Sequence, residues 1–213
     1  MNQLERTMKT SVTAKVLKAS AVLLVVGSAV VACSVEVPLG SAPSVVRPSA
    51  ASSASSAAAL PDCDVSHASI SASSTSSDST DDSGTMISYA AKNMIDGDPT
   101  TAWRTDGTGV GVSIVLRFAQ ECRLRTVSIV DGYDKDDPVS GYDRWIENRR
   151  VVRLDVSTDD GSVGTWTLSE YSRDPQTTTI VPRATARLTL TILATEPDVV
   201  KRNYTAISEI VVG

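Results

Sequence analysis

The side chains in this chain that can do chemistry gather in two stretches. The first is Asn93-Met94-Ile95-Asp96-Gly97-Asp98-Pro99-Thr100-Thr101-Ala102-Trp103. Asp-Gly followed by Asp-Pro is a pair of turn signals, since glycine supplies positive φ and proline fixes φ and gives up its N–H. The segment is therefore a compact loop between apolar anchors at Ile95 and Trp103, with Asp96, Asp98, Thr100 and Thr101 as hard oxygen donors of the kind calcium takes. The same oxygens can instead accept from their own turn N–H groups, and spacing alone does not choose between the two. The second stretch runs from Asp131 to Arg150 and holds Tyr133, Tyr142, Arg144, Trp145, Asn148 and two further arginines. Aromatic faces that stack on C–H patches, beside planar polar groups that read hydroxyls, are the materials of a preformed sugar site. Tyr133, Trp145, Asn148 and Arg150 are the candidate ligand residues. The structural alternative is that Trp145 fastens the loop to the core while Arg150 pairs with Asp131 or Glu147; Trp103 and Trp166 are assigned to packing.

Catalytic readings find less to stand on. His67 is the one histidine, with no patterned triad partner. Gly107-Thr108-Gly109-Val110-Gly111 leads into a strand, where no helix N-terminus can hold a phosphate. Asp134, Asp136 and Asp137 crowd one loop, and a glycosidase needs opposed carboxylates at a fixed separation instead. The expectation is a binding protein with no enzymatic turnover.

These groups must be carried by something, and the chain's order says what. Arg6, Lys9, Lys15 and Lys18 precede an apolar run from Ala19 to Ala32, too short to span a bilayer comfortably. It ends Val30-Val31-Ala32-Cys33, which resembles a bacterial lipoprotein box. Residues 1–32 are read as a signal peptide and Cys33 as the lipidated amino terminus, placing the protein on the outer face of a cell membrane. The alternatives are an ordinary secretory signal and an uncleaved anchor. A single acyl chain anchors only marginally, so stable attachment needs more than one. Removing residues 1–32 takes four of 20 basic and one of 25 acidic residues, leaving a net charge of −8. Nucleic acid and anionic lipid are poor partners for such a chain, because phosphate neutralisation needs clustered Lys and Arg.

Residues 33–62 are dominated by Ser, Ala, Pro and Val and are read as a flexible linker of roughly 30 Å root-mean-square span. Cys63 and Cys122 remain, and in an oxidising space they are expected to pair, provided their Cα atoms lie within about 7 Å.

From residue 63 to 213 the pattern is period two, with no long helical periodicity. Ala68, Ile70 and Ala72 share a face; so do Ile114, Leu116 and Phe118, and Val127 with Ile129. Val152, Leu154 and Val156 read inward and end at the hairpin signal Asp159-Asp160-Gly161. Thr165–Glu170, Thr177–Val181, Arg187–Ala194 and Asn203–Val212 complete about eight short strands. That pattern implies an all-β, antiparallel β-sandwich domain over 63–213.

Asn-x-Ile-Asp-Gly-Asp-Pro-x-Thr-Ala-Trp resembles the signature loop of the discoidin-like, galactose-binding-like β-sandwiches. Three further stretches bring the likeness nearer to the NADase-type glycan-binding domain. They are Gly107–Phe118, Asp131-Gly132-Tyr133 followed by Asn148-Arg149-Arg150-Val151, and Thr205–Ile210. The resemblance implies a jelly roll and a carbohydrate ligand, a cell-wall polysaccharide or host glycan. It also implies a structural calcium near Asp96, Asp98, Thr101 and Glu209, although calcium is not assumed for the NADase-type variant. The other reading is an interaction module docking an envelope protein through the same loops.

Overall fold

The computed structural model describes residues 59–81, 83–196 and 201–213. The signal peptide, Cys33 and most of the linker lie outside the described residues. Among the described residues the domain has nine strands, one α-helical turn and two 3-10 turns (Val65–His67 and Ala91–Ile95): β1 (Ala68–Ala72), β2 (Ser79–Thr80), β3 (Met86–Ile87), β4 (Trp103–Asp106), β5 (Ser113–Asp131), α1 (Arg144–Glu147), β6 (Val151–Thr158), β7 (Gly161–Thr167), β8 (Gln176–Thr195) and β9 (Tyr204–Val212). Every strand pair is antiparallel. The main sheet runs β4-β9-β5-β8-β6-β7, with β1 added to β5 and β2-β3 standing apart as a small hairpin.

Two strands hold the sandwich together because each serves both layers. The first half of β5 pairs with β1 and with Arg187–Thr191 of β8; its second half pairs with β9 and with Gln176–Thr179 of β8. The sequence reads each of β5 and β8 as two strands, because the apolar alternation lapses at Ala119-Gln120-Glu121 and again near Arg183. The lapses are bulges, not ends: the β5–β8 register shifts between Arg117 and Cys122 and between Leu124 and Thr126. An extra residue unpairs locally and bends the strand, which is how one continuous ladder folds over into a second layer.

Alternating side chains then fill the interior. Ile114, Leu116, Leu124, Val127 and Ile129 of β5 meet Leu188, Leu190 and Ile192 of β8, Leu154 of β6 and Ile207 and Ile210 of β9, all fully buried. Trp103 is in this core and Trp166 packs against it from partial exposure. His67 closes a short 3-10 turn, Val65–His67, just ahead of β1 and not within it, and is exposed.

Cys63 and Cys122 are joined by a disulfide with Cα atoms 5.0 Å apart, both sulfurs in the core. The bond ties the domain's first residues to the bend of β5, beside Cys63 N–H donating to Arg123 O at 3.1 Å. Replacing both cysteines by Ala is expected to cost about 2–4 kcal/mol, because it frees a long loop in the unfolded chain. Urea unfolding measures this, and the wild type in reductant should fall to the same midpoint.

Candidate functional site

The Asp96 turn closes on itself. Asp96 accepts from Asp98 N–H at 3.0 Å and from the Thr101 hydroxyl at 2.9 Å; Asp98 accepts from Thr100 N–H at 2.9 Å and its hydroxyl at 2.7 Å. Glu209 reaches in from β9 and accepts from Gly97 N–H at 2.7 Å. Burial and the neighbouring Asp96 carboxylate push Glu209 up to about 7. Calcium takes six to eight oxygens. Here the carboxylates already serve the turn's own donors, and among the described residues no three His, Cys, Asp or Glu side chains group to hold a metal. Asp96, Asp98, Thr101 and Glu209 are brought together at this loop, which their hydrogen bonds cap and anchor to β9.

The Asp131–Arg150 segment divides in two. Trp145 and Arg150 face inward. The Trp145 indole N–H donates to Asp131 O at 2.9 Å, and its ring lies against Gly132, whose φ of +82° and lack of a Cβ allow the approach. The Arg150 guanidinium stacks 4.0 Å from that ring, donates to Trp145 O and Glu170 O, and pairs with Glu196. Neither lines the cavity beside Arg104 and Arg144. Tyr133 and Asn148 do.

Their cavity, about 120 Å³, opens on the outer face of β4 and β9. Trp103 and Ile207 are register partners in the core, so their strand neighbours Arg104 and Ala206 are turned to the opposite face. Loops cover that face: Tyr89 and Tyr133 pack with Ala102 and Ala206 in a small satellite cluster, their rings edge to face at 6.3 Å. Ser208 of β9 accepts from Asp134 N–H at 2.9 Å and fixes the start of the covering loop.

Arg104 lies under this cover at 6% exposure, its guanidinium 3.5 Å from the Tyr89 ring centre and 3.9 Å from that of Tyr204. Its Nε is buried without a hydrogen-bond partner, and burial pulls its pKa below the ordinary arginine value. Asn148, at 1% exposure, donates through Nδ2 to Arg144 O at 2.7 Å, which leaves Oδ1 buried and unpartnered. Behind it stands an ionic wall. Arg144 donates to Asp137 at 2.6 Å and to Glu147 at 2.9 Å, and Glu147 also takes Lys201 at 2.6 Å and Arg202 at 3.0 Å. Hydrogen bonding from Arg144 above all holds Asp137 well below the usual carboxylate range. The loop's other acids are engaged too, with Asp134 and Asp136 on Arg173 at 2.7 and 3.7 Å.

Residues 63–213, this whole sandwich, match the NAD glycohydrolase translocation F5/8 type C domain. The chain belongs to that family. No curated protein matches it. Solved structures of similar fold include CBM32-3 from a family 31 glycoside hydrolase of Clostridium perfringens, at 19% identity and TM-score 0.53, covering 70% of this chain and 92% of that one. CpGH89CBM32-5 from the same organism, in complex with GalNAc-β-1,3-galactose, gives 18% and 0.50, covering 72% and 98%. The family 32 CBM from C. perfringens NanJ, in complex with galactose, gives 15% and 0.50, covering 70% and 94%. These likenesses establish the discoidin-like β-sandwich of the F5/8 type C domain.

Two residues that line this cavity escaped the sequence reading. Arg104 follows Trp103 in a strand, and simple alternation sends it to solvent; only the loops that fold back over β4 bury it. Tyr89 comes from a stretch with no strand-like pattern. An arginine beside the signature Trp was the one signal on offer.

Proposed function

We propose that this F5/8 type C domain binds a carbohydrate, without turnover, in the cavity lined by Arg104, Tyr89, Tyr133 and Asn148. The carrying observation is a buried, unpartnered acceptor, Asn148 Oδ1, in the same concavity as a buried, unpartnered donor, Arg104 Nε. Leaving such groups unmade costs about 1–3 kcal/mol each, so a site that keeps them gains that much from a ligand that completes them. Sugar hydroxyls both donate and accept, and the tyrosine faces supply apolar surface. The sugars seen on two structures of the same fold support the reading.

The domain would be held outside the cell by lipid on Cys33, after removal of residues 1–32, on a linker spanning 33–62. Among the described residues no helix is long and apolar enough to cross a membrane. A Cys33→Ser change should then move the protein from the membrane fraction to the medium. For the ligand, a glycan array probed with the full chain should give discrete hits. Asn148→Ala should weaken them roughly tenfold or more with the strand circular dichroism unchanged. A blank array with folded protein would overturn the reading. It would favour a protein partner instead, for which Val139, Tyr142 and Ile146 stand exposed on the same loop.

A further inference from the structure

The charge around the cavity is unevenly matched. Arg144 and Arg202 line it, but both are neutralised by Asp137 and Glu147. The two acids among the described residues that line it are likewise engaged. Asp81 accepts from Ser83 N–H at 3.0 Å and Thr85 N–H at 2.9 Å, and Asp137 accepts from Val139 and Ser140 N–H as well as from Arg144. That leaves Arg104 and Lys135, which line the cavity and have no ion pair among the described residues.

Arg104 is the anomaly. Buried cations are ordinarily paired, because an unpaired one forfeits its hydration with nothing in return. The faces of Tyr89 and Tyr204 return part of that by cation–π attraction. They also clamp the guanidinium plane between two rings, so its N–H edge is presented in a fixed orientation. A fixed guanidinium edge is the complement of a carboxylate, which it can grip through two parallel hydrogen bonds. A neutral sugar would satisfy the donor and leave the charge uncompensated.

Resting on the carbohydrate reading above, we propose that the cavity selects an acidic sugar, with its carboxylate on Arg104, a ring hydroxyl donating to Asn148 Oδ1, and Lys135 adding long-range attraction. The cavity, about 120 Å³, suits one sugar unit and not a buried chain. The recognised unit is therefore a terminal or side-branch uronic acid.

The test is calorimetry of the full chain against disaccharides ending in galacturonate or glucuronate, their neutral galactose and glucose counterparts, and acetate as carboxylate without sugar. The acidic disaccharides should bind at least tenfold tighter than the neutral ones, and acetate should not bind measurably. Raising salt from about 0.05 to 0.5 M should narrow that gap, since an attraction at a partly open site is screened. Arg104→Gln should weaken the acidic sugars far more than the neutral ones, so that the preference is lost. Lys135→Gln, a change away from the buried groups, should reduce acidic-sugar affinity several-fold in a protein of wild-type melting temperature. That variant keeps the question open to an answer if Arg104→Gln does not fold. Equal affinity for acidic and neutral sugars would overturn the selection and leave carbohydrate binding standing. Preference that survives both substitutions would overturn the assignment of Arg104 and Lys135. Acetate binding as tight as the disaccharides would show a simple anion site, and failure of every sugar would sink both readings.

Discussion

Trp103→Ala should lower the stability of this F5/8 type C domain by about 3–5 kcal/mol, the range for emptying a large aromatic from a packed core. Trp103 is fully buried, and it is the register partner of Ile207, also fully buried. Its indole N–H donates to Ser74 O at 3.1 Å, tying the segment after β1 to the edge of the sheet. Removing the ring leaves a void that close-packed neighbours fill only in part and leaves Ser74 O without that donor. Stability of a domain this size is commonly about 5–15 kcal/mol, so the loss takes a large share of it. Trp103→Phe keeps most of the packing and gives up the hydrogen bond, and should cost roughly half as much or less. Urea midpoints at unchanged m-value would check both. The consequence for function follows from topology: the segment that Trp103 holds continues to Ser79, Thr80 and Asp81 on the cavity wall. Ligand affinity in Trp103→Ala should therefore fall even at temperatures where the protein is still folded. A tryptophan that proved dispensable would mean the signature loop does not anchor this edge of the sheet.

The sequence made the sandwich legible because alternation is a local property. Ile114, Leu116 and Phe118 announce a face without reference to anything distant, and the hairpin at Asp159–Gly161 announces its own turn. What alternation cannot show is where a strand bends and continues. Hence β5 and β8 each read as two, because a bulge and a loop both interrupt the pattern. The site was legible only by half for a related reason. Tyr133 and Asn148 belong to a polar, aromatic loop that declares itself as a candidate. Arg104 becomes a site residue only when residues some fifteen before it and thirty to forty-five after it close over the strand. Trp145 and Arg150 carry the right chemistry but turn inward, and nothing in residue type separates a stacking platform from a staple. The Asp-Gly-Asp-Pro turn shows the same ambiguity, since carboxylates that can ligate an ion can equally cap the turn that bears them.

Asp131 should make the domain less stable as pH rises through neutrality. The carboxyl is fully buried; Oδ1 accepts from Gly132 N–H at 2.9 Å and Val151 N–H at 3.0 Å, and Oδ2 has no partner. Burial pushes it from 3.8 up to about 7, against the pull of those two hydrogen bonds and of Arg150. In the unfolded chain it ionises near 3.8, so between that value and about 7 folding takes up a proton. Stability therefore falls as pH rises through this window, and the contribution is gone above the folded value. A shift of this size corresponds to a loss of up to about 4 kcal/mol. Glu209 acts in the same direction from 4.5 to about 7, with a smaller effect because its shift is smaller. Asp137 and the turn carboxylates Asp81 and Asp98, held below their ordinary values, act the other way. Their influence lies below about pH 4 and leaves the upper window to Asp131 and Glu209. The melting temperature should accordingly drop between pH 5 and pH 8. Asp131→Asn keeps the acceptor for both N–H groups and carries no charge, so it should flatten most of that slope and surpass the wild type at pH 8. Adding Glu209→Gln should flatten the remainder. A wild-type melting temperature that rose or held level across this interval would show that Asp131 is ionised in the folded protein, with Arg150 as its effective counter-ion. The junction of β5 with the Trp145 staple would then be held by a buried ion pair and not by a neutral carboxyl.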